Sequence, residues 1–168
     1  MVFKMNDFSK MDLNDRKAYI QMAAGNSGFP VSIIEKDFWV CWTLERIFSL
    51  NDIGPHLIFK GGTTLSKVYS VIERFSEDVD ISIDRDKLGF IGDRDPEQAV
   101  SSKKQQKLIE ELSTSCKIFV QNELYTNLRD AIDNSIMDNA NWDLVTDEDV
   151  PRWADSFISL SNNRKFIW

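Results

Sequence analysis

The stretch from His56 to Asp84 limits the possible folds of this chain more than any other. His56-Leu57-Ile58-Phe59-Lys60 is a short apolar run with Gly54-Pro55 before it and Gly61-Gly62 after it, the pattern of a buried strand. After the glycines the period changes. Leu65, Val68, Ile72 and Phe75 recur every three or four residues, so 64–75 reads as an amphipathic helix. Glu77 to Asp84 then alternates strictly, with Val79, Ile81 and Ile83 on one face and Asp78, Asp80, Ser82 and Asp84 on the other. This is a strand with an acidic face, and a chain that contains such a strand–turn–helix–strand unit is not all-helical.

The flanking segments are mainly helical. Residues 12–24 carry Leu13, Ala18, Tyr19 and Met22 on one side, and Gly25-Asn26-Ser27-Gly28-Phe29-Pro30 stops that helix. Ser32, with Glu35 three residues on, suggests a capping box for a helix over 33–49 that is apolar nearly all round between Phe38 and Phe48. Residues 85–102, with Pro96 and several Asp and Gly, read as a loop. A long helix over 103–133 keeps Leu108, Leu112, Cys116, Phe119, Leu128 and Ile132 at helical spacing, and a weaker strand follows near Trp142–Val145. This order predicts an α+β fold (α/β mixed), a small mixed β-sheet flanked by helices. With 168 residues against a usual domain size of roughly 150, one domain over 1–168 is expected. Its parts are a helical N-terminal region over about 1–50, a core over about 51–150 and a tail over 151–168.

Charge and cysteine content narrow the function classes. Lys and Arg number 20 against 27 Asp and Glu, a net of −7, so the molecule as a whole repels polyanions and must grip any nucleotide or RNA locally or through metal ions. Cys41 and Cys116 are the only cysteines and lie far apart among apolar residues, as in a reducing compartment, so the cytoplasm is expected. Neither thiol has neighbours that would activate it, and His56, the only histidine, has no partners at triad spacing. No window approaches the ~20 apolar residues of a membrane span, and the N-terminus does not read as a signal peptide.

Chemistry concentrates between Lys60 and Asp84. Gly61 and Gly62 let a backbone turn tightly and let a ligand approach without a Cβ in the way. Thr63 is a natural N-cap for the helix that follows. The free N–H groups of the first turn form an anion site, Ser66 adds a hydroxyl, and Lys67 and Arg74 place two cations on a similar face. Taken alone, a double glycine more often only turns the chain. It is not a P-loop, since G-G-T-T-L-S-K lacks a glycine directly before the lysine and a Ser/Thr after it. Asp78 and Asp80, two apart on a strand, bring two carboxylates to one face and suit Mg²⁺ or Mn²⁺. An isolated D-x-D is more commonly a solvated strand face. With a phosphate-friendly turn one short helix upstream, the two features supply both halves of a metal-dependent phosphoryl- or nucleotidyl-transfer site for a substrate such as an NTP, a triphosphate cradle and metal-holding carboxylates.

Three segments, I-E-K-D-F-W-V at 34–40, F-K-G-G-T-T-L-S-K-V-Y at 59–69 and E-R-F-S-E-D-V-D-I at 73–81, resemble in order and spacing the AbiEii/AbiGii-type nucleotidyltransferase toxins, over residues 28 to about 150. The resemblance implies a DNA polymerase beta-like nucleotidyltransferase fold and a toxin of toxin–antitoxin or abortive-infection systems. It also implies a cognate antitoxin encoded nearby, and tRNA or another RNA as acceptor. Carried onto this chain, Gly61, Gly62, Thr63 and Ser66 fall on the nucleotide-binding turn and Lys67 on the recurring lysine. Arg74 and Ser76 fall on the flanking R-F-S, and Asp78 and Asp80 on the catalytic, metal-binding carboxylates. Folds of this kind draw a third carboxylate from a later strand, and Asp84, Asp143 and Asp147 are the candidates. The tail from Ala154 to Trp168 has no counterpart in the family. The resulting expectation is a truncated or frameshifted chain, catalytically poor, and the alternative function is a non-catalytic remnant that binds nucleotide or a partner protein.

Overall fold

A computed structural model of the chain describes residues 5–60, 80–136, 142–147 and 157–161. It begins with a short helix, α1 (Met5–Ser9), for which the sequence offered no periodic signal. Its anchors are tertiary. The Ser9 hydroxyl is fully buried and donates to the Ser135 carbonyl at 2.9 Å, while Phe8 packs on Phe38 at 4.3 Å.

Helix α2 (Leu13–Ser27) starts at Asp12, whose carboxylate accepts from the Asn14 and Asp15 N–H groups at 2.8 and 3.1 Å. It ends at Gly28, which takes a left-handed φ of 75° and donates to the Ala24 carbonyl. The face it buries is not the expected one. Leu13, Tyr19 and Met22 are exposed, whereas Ile20 and Ala24 are buried. Arg16 precedes this stripe by one turn and lays its guanidinium over the Trp39 ring at 5.6 Å. An arginine stem covers apolar surface as an aliphatic chain does, which a count of apolar letters misses.

Helix α3 (Val31–Phe48) also departs from its expected start. Pro30 occupies the N-cap position and its carbonyl already accepts from Ile33 and Ile34, so Ser32 lies inside the helix and no side chain caps it. Proline at the boundary has no N–H to lose and a φ compatible with helix entry. Val40, Trp42, Thr43, Arg46 and Ile47 form the buried face. Arg46 is only 6% exposed because its guanidinium stacks on Trp42 at 4.2 Å and donates to the Trp42 carbonyl and the Glu45 carboxylate.

The exit from α3 depends on Gly54. A Cβ there would fall inside contact distance of the Phe48 carbonyl oxygen, so only glycine lets the chain turn this closely past the helix end. A 3-10 turn (Gly54–His56) then feeds β1 (Leu57–Lys60), which pairs antiparallel with β2 (Asp80–Ile83). The register sets Leu57 opposite Ile83, Ile58 opposite Ser82, Phe59 opposite Ile81 and Lys60 opposite Asp80. Leu57 is buried in the core, Ile81 and Ile83 pack against it, and Phe59 meets Phe48 edge-on at 6.3 Å. The other face is open. Ile58 is 51% exposed, so β1 is half-buried rather than the buried strand its apolar run suggested.

After β2 the chain is tied down by charges. The Arg85 guanidinium pairs with Asp95 at 3.2 Å and with Glu97 at 3.0 Å. Arg94 lies over the fully buried Phe90 ring at 4.3 Å, and Lys87 reaches Glu123 at 3.3 Å. The predicted loop over 85–102 is therefore an ordered strap that contains two 3-10 turns, Gly92–Arg94 and Pro96–Gln98.

The long helical segment is observed in three parts: α4 (Ser102–Phe119), a π-helical turn (Val120–Leu124) and α5 (Tyr125–Asp133). Ser101 caps α4 through a hydrogen bond from the Lys104 N–H. Beyond the π turn, buried residues recur every four positions, at Leu124, Leu128, Ile132 and Ile136. From Phe119 to Leu124 the step is five, which an α-helix cannot keep on one face and a π turn can.

Strand β3 (Asp143–Asp147) appears where a weak strand was expected and pairs antiparallel with β4 (Phe157–Ser161), a strand missed in the tail. Leu144 is buried in the main cluster with Trp42, Ile53, Leu57 and Leu128, and the Tyr125 hydroxyl donates to its carbonyl at 2.9 Å. The architecture is α+β, as predicted. Where the element order suggested one mixed sheet, the described strands form two antiparallel ribbons.

Candidate active site

The β1–β2 ribbon positions the region singled out by the sequence. On its core face Leu57, Phe59, Ile81 and Ile83 bind it to the helices; Ile58, Lys60, Ser82 and Asp80 line the opposite face. Of the expected site residues, Asp80 is described. It is exposed at the last register position of the ribbon, directly across from Lys60, which is also exposed. Gly61, Gly62, Thr63, Ser66, Lys67, Arg74, Ser76 and Asp78 lie outside the described residues. Gly61 follows Lys60 directly in the chain and Asp78 precedes Asp80 by two residues, so the chain leaves and re-enters the ribbon at the same end.

Sequence reading missed one residue at this place. Lys60 belongs to the F-K-G-G-T-T-L-S-K segment, which assigns it no role of its own. Its significance comes from the antiparallel register, which sets a cation against the candidate metal ligand. No described ion pair takes up either charge.

The candidates for a third carboxylate fare differently. Asp84 continues the ribbon through a hydrogen bond from its N–H to the His56 carbonyl at 2.8 Å, and its carboxylate accepts from the Asp86 N–H at 3.2 Å, which closes the turn after β2. Asp143 and Asp147 begin and end β3, on the other ribbon. Among the described residues no group of three or more His, Cys, Asp or Glu could hold a metal ion. Neither cysteine forms a disulfide, and burial pushes the Cys41 thiol above its ordinary range, away from nucleophilic reactivity. His56 lies in the 3-10 turn before β1.

The strap behind β2 holds the site's frame electrostatically. Arg85 donates to Glu97 at 3.0 Å and holds that carboxyl below the usual range.

The described geometry thus ends with Lys60 and Asp80 exposed at one end of a two-stranded ribbon in an α+β fold. Residues 42–148 match the family described as nucleotidyl transferase AbiEii toxin, of type IV toxin–antitoxin systems, and the chain belongs to that family. The matched span runs from within α3 through β3 and includes the ribbon and everything between its strands; the Ile34–Val40 segment precedes it. No curated protein and no solved structure gives a significant match. Among the described residues no helix is long and apolar enough to cross a membrane.

Proposed function

We propose that this protein is an NTP- and Mg²⁺-dependent nucleotidyltransferase toxin that transfers a nucleotide to an acceptor hydroxyl on RNA, with tRNA as the acceptor to test first. The observation that carries this reading is the match of residues 42–148, whose sequence contains G-G-T-T and D-x-D, to a family of nucleotidyl transferase toxins, with Asp80 exposed at the ribbon end. Membership of a type IV toxin–antitoxin family also implies a cognate antitoxin, and we place the reaction in the cytoplasm.

The donor chemistry at the ribbon end fits a hard divalent cation. Asp80 offers an exposed carboxylate that no described cation pairs with, and Asp78 is the second oxygen ligand in the same strand pattern. Bound Mg²⁺ would supply Lewis-acid polarisation and charge neutralisation at the phosphates. In this reading Gly61 and Gly62 admit the triphosphate to the backbone, and Thr63 and Ser66 contribute hydroxyls to the same grip. Lys67 and Arg74 offset phosphate charge, and Ser76 supports the approach to the acidic pair.

Incubation with labelled NTPs, Mg²⁺ and a tRNA pool tests the reading. Asp80→Asn is expected to lower the transfer rate by about 10²- to 10⁴-fold with an unmoved melting temperature, because the side chain is exposed. Transfer at the wild-type rate in Asp80→Asn would remove this residue from the site. Calorimetric NTP binding without transfer by the wild-type chain would favour the binding-only alternative.

A further inference from the structure

We propose that the first turns of α4 form a docking surface for the sugar–phosphate backbone of the acceptor RNA, with Lys103, Lys104 and Lys107 as its cationic contacts. RNA as the partner rests on the nucleotidyltransferase reading above, while the surface itself is carried by the described helix. From Ser101 to Lys107 every residue is exposed, so no side of this part of α4 is packed away, and Leu108 is its first buried residue. At about 100° per residue, the three lysines fall within roughly 100° of the helix circumference and share one face. No acid occurs in the chain between Glu97 and Glu110. Lys103 and Lys104 pair with no acid among the described residues. The acids that follow are already engaged: Glu111 is shared by Lys107 and Arg94, each at 3.7 Å, and Glu110 accepts from the Gln106 amide at 3.1 Å. Arg94, 53% exposed, thereby adds a fourth cation beside the lysines.

Helix stability does not account for this arrangement. Lys103 and Lys107, four residues apart, are like charges on one face and repel. Cations in a first turn also oppose the positive end of the helix dipole, which favours Asp or Glu there, yet α4 carries no acid in its first turn. Lysine and glutamate have similar helix propensity, so propensity does not choose the lysines either. An anionic partner removes both penalties. With a net charge of −7 the molecule repels a polyanion overall, and a local cationic face is what allows it to hold one. The exposed contacts of Glu111 are weak, so a phosphate displaces that carboxylate at little cost. Residues 101–107 contain no apolar side chain to enter a lipid surface, which favours RNA over a membrane. Lysine–phosphate contacts position a nucleic acid without reading its bases, so this face would hold RNA of many sequences.

The experiment measures binding of a labelled tRNA pool to the full chain by fluorescence anisotropy, without NTP or Mg²⁺, over a series of salt concentrations. The triple variant Lys103→Gln, Lys104→Gln, Lys107→Gln should bind roughly 30-fold more weakly, and its log–log salt slope should be shallower by about 2, as expected for three lost phosphate contacts. Its melting temperature should not move, because the three side chains are exposed. Replacing the same three lysines by arginine should keep both the affinity and the slope. The control is Lys10→Gln with Lys17→Gln, two exposed lysines elsewhere, and it should bind as the wild type does. A wild-type slope in the glutamine triple, an equal loss in the control, or no tRNA binding by the wild-type chain at low salt would each overturn the inference. Vesicles of anionic phospholipid form a second arm: binding to them that is lost in the triple, with tRNA affinity unchanged, would overturn it in favour of a membrane. Transfer chemistry is read separately, so tRNA labelling that survives in the triple with unchanged RNA affinity sinks this surface and leaves the nucleotidyltransferase reading standing. RNA binding lost in the triple, with no transfer by the wild type, sinks that reading and leaves the surface.

Discussion

The two faces of the β1–β2 ribbon have nearly equal length and opposite consequences. Leu57, Phe59, Ile81 and Ile83 attach one face to the helical core, and Ile58, Lys60, Asp80 and Ser82 form the other. In β1 three apolar residues follow one another, so the strand alone does not say which of them is buried. Pairing decides it. Because Ile81 and Ile83 alternate with polar residues and pack against the core, their partners Phe59 and Leu57 must face it too, and Ile58 is left outside. The comparison teaches that stability and chemistry are separated across one layer of backbone: substitutions on one face should unfold the protein, and those on the other should disable it while it stays folded.

The largest loss of stability should come from the device that aims the ribbon. Gly54→Ala forces a Cβ against the Phe48 carbonyl, so α3 or β1 must shift; we expect about 4 kcal/mol of destabilisation in urea unfolding. A variant as stable as the wild type would show that the ribbon's placement does not depend on this close approach. On the core face, Leu57→Ala should cost about 3 kcal/mol through lost burial and a cavity between Trp42, Ile53 and Leu128. On the open face, Ile58→Thr should stay within about 0.5 kcal/mol of the wild type, since its side chain is half in water and threonine keeps the β-branched shape. Similar losses for Leu57→Ala and Ile58→Thr would break the distinction between the faces.

The smallest effect belongs to the strap that follows β2. Arg85 lowers the Glu97 carboxyl from its ordinary 4.5, so the pair's contribution is fully present above that value. It is lost as pH falls through the lower value of the folded state. Glu97→Gln should therefore reduce the melting temperature by about 1 °C at pH 7, and the difference should shrink as pH falls below 4.5. A difference that grows in acid would show that Glu97 acts through some contact other than Arg85.

Much of the fold was legible because local rules and tertiary packing agreed. The alternation over Glu77–Asp84 indicates a strand with one polar face, and its described part is a strand over Asp80–Ile83. The stops at Gly28 and Pro30 separate α2 from α3, since a left-handed residue ends one helix and proline begins the next. The family was legible from the segments around the glycine turn and the D-x-D, and the matched span contains both. Of the candidate site, Asp80 was placed on the face that the alternation predicted, while the remaining motif residues lie outside the described residues.

What the sequence determined by itself, then, are the features set by near neighbours: strand alternation, helix stops, and the order of glycine turn and acids that marks the family. What only the tertiary structure decided are the features set by distant partners. Arg16 and Arg46 become core-facing residues because Trp39 and Trp42 lie beneath them, and the apolar face expected for α2 is exposed as a result. The π turn exists because the buried stripe of the long helix must step five residues between Phe119 and Leu124 to stay on the core. Phe157–Ser161 becomes a strand by pairing with Asp143–Asp147, and Lys60 meets Asp80 by register. Periodicity reports which side of an element is apolar, but the identity of the surface facing that side depends on residues far away in the chain, and only the folded arrangement brings them together.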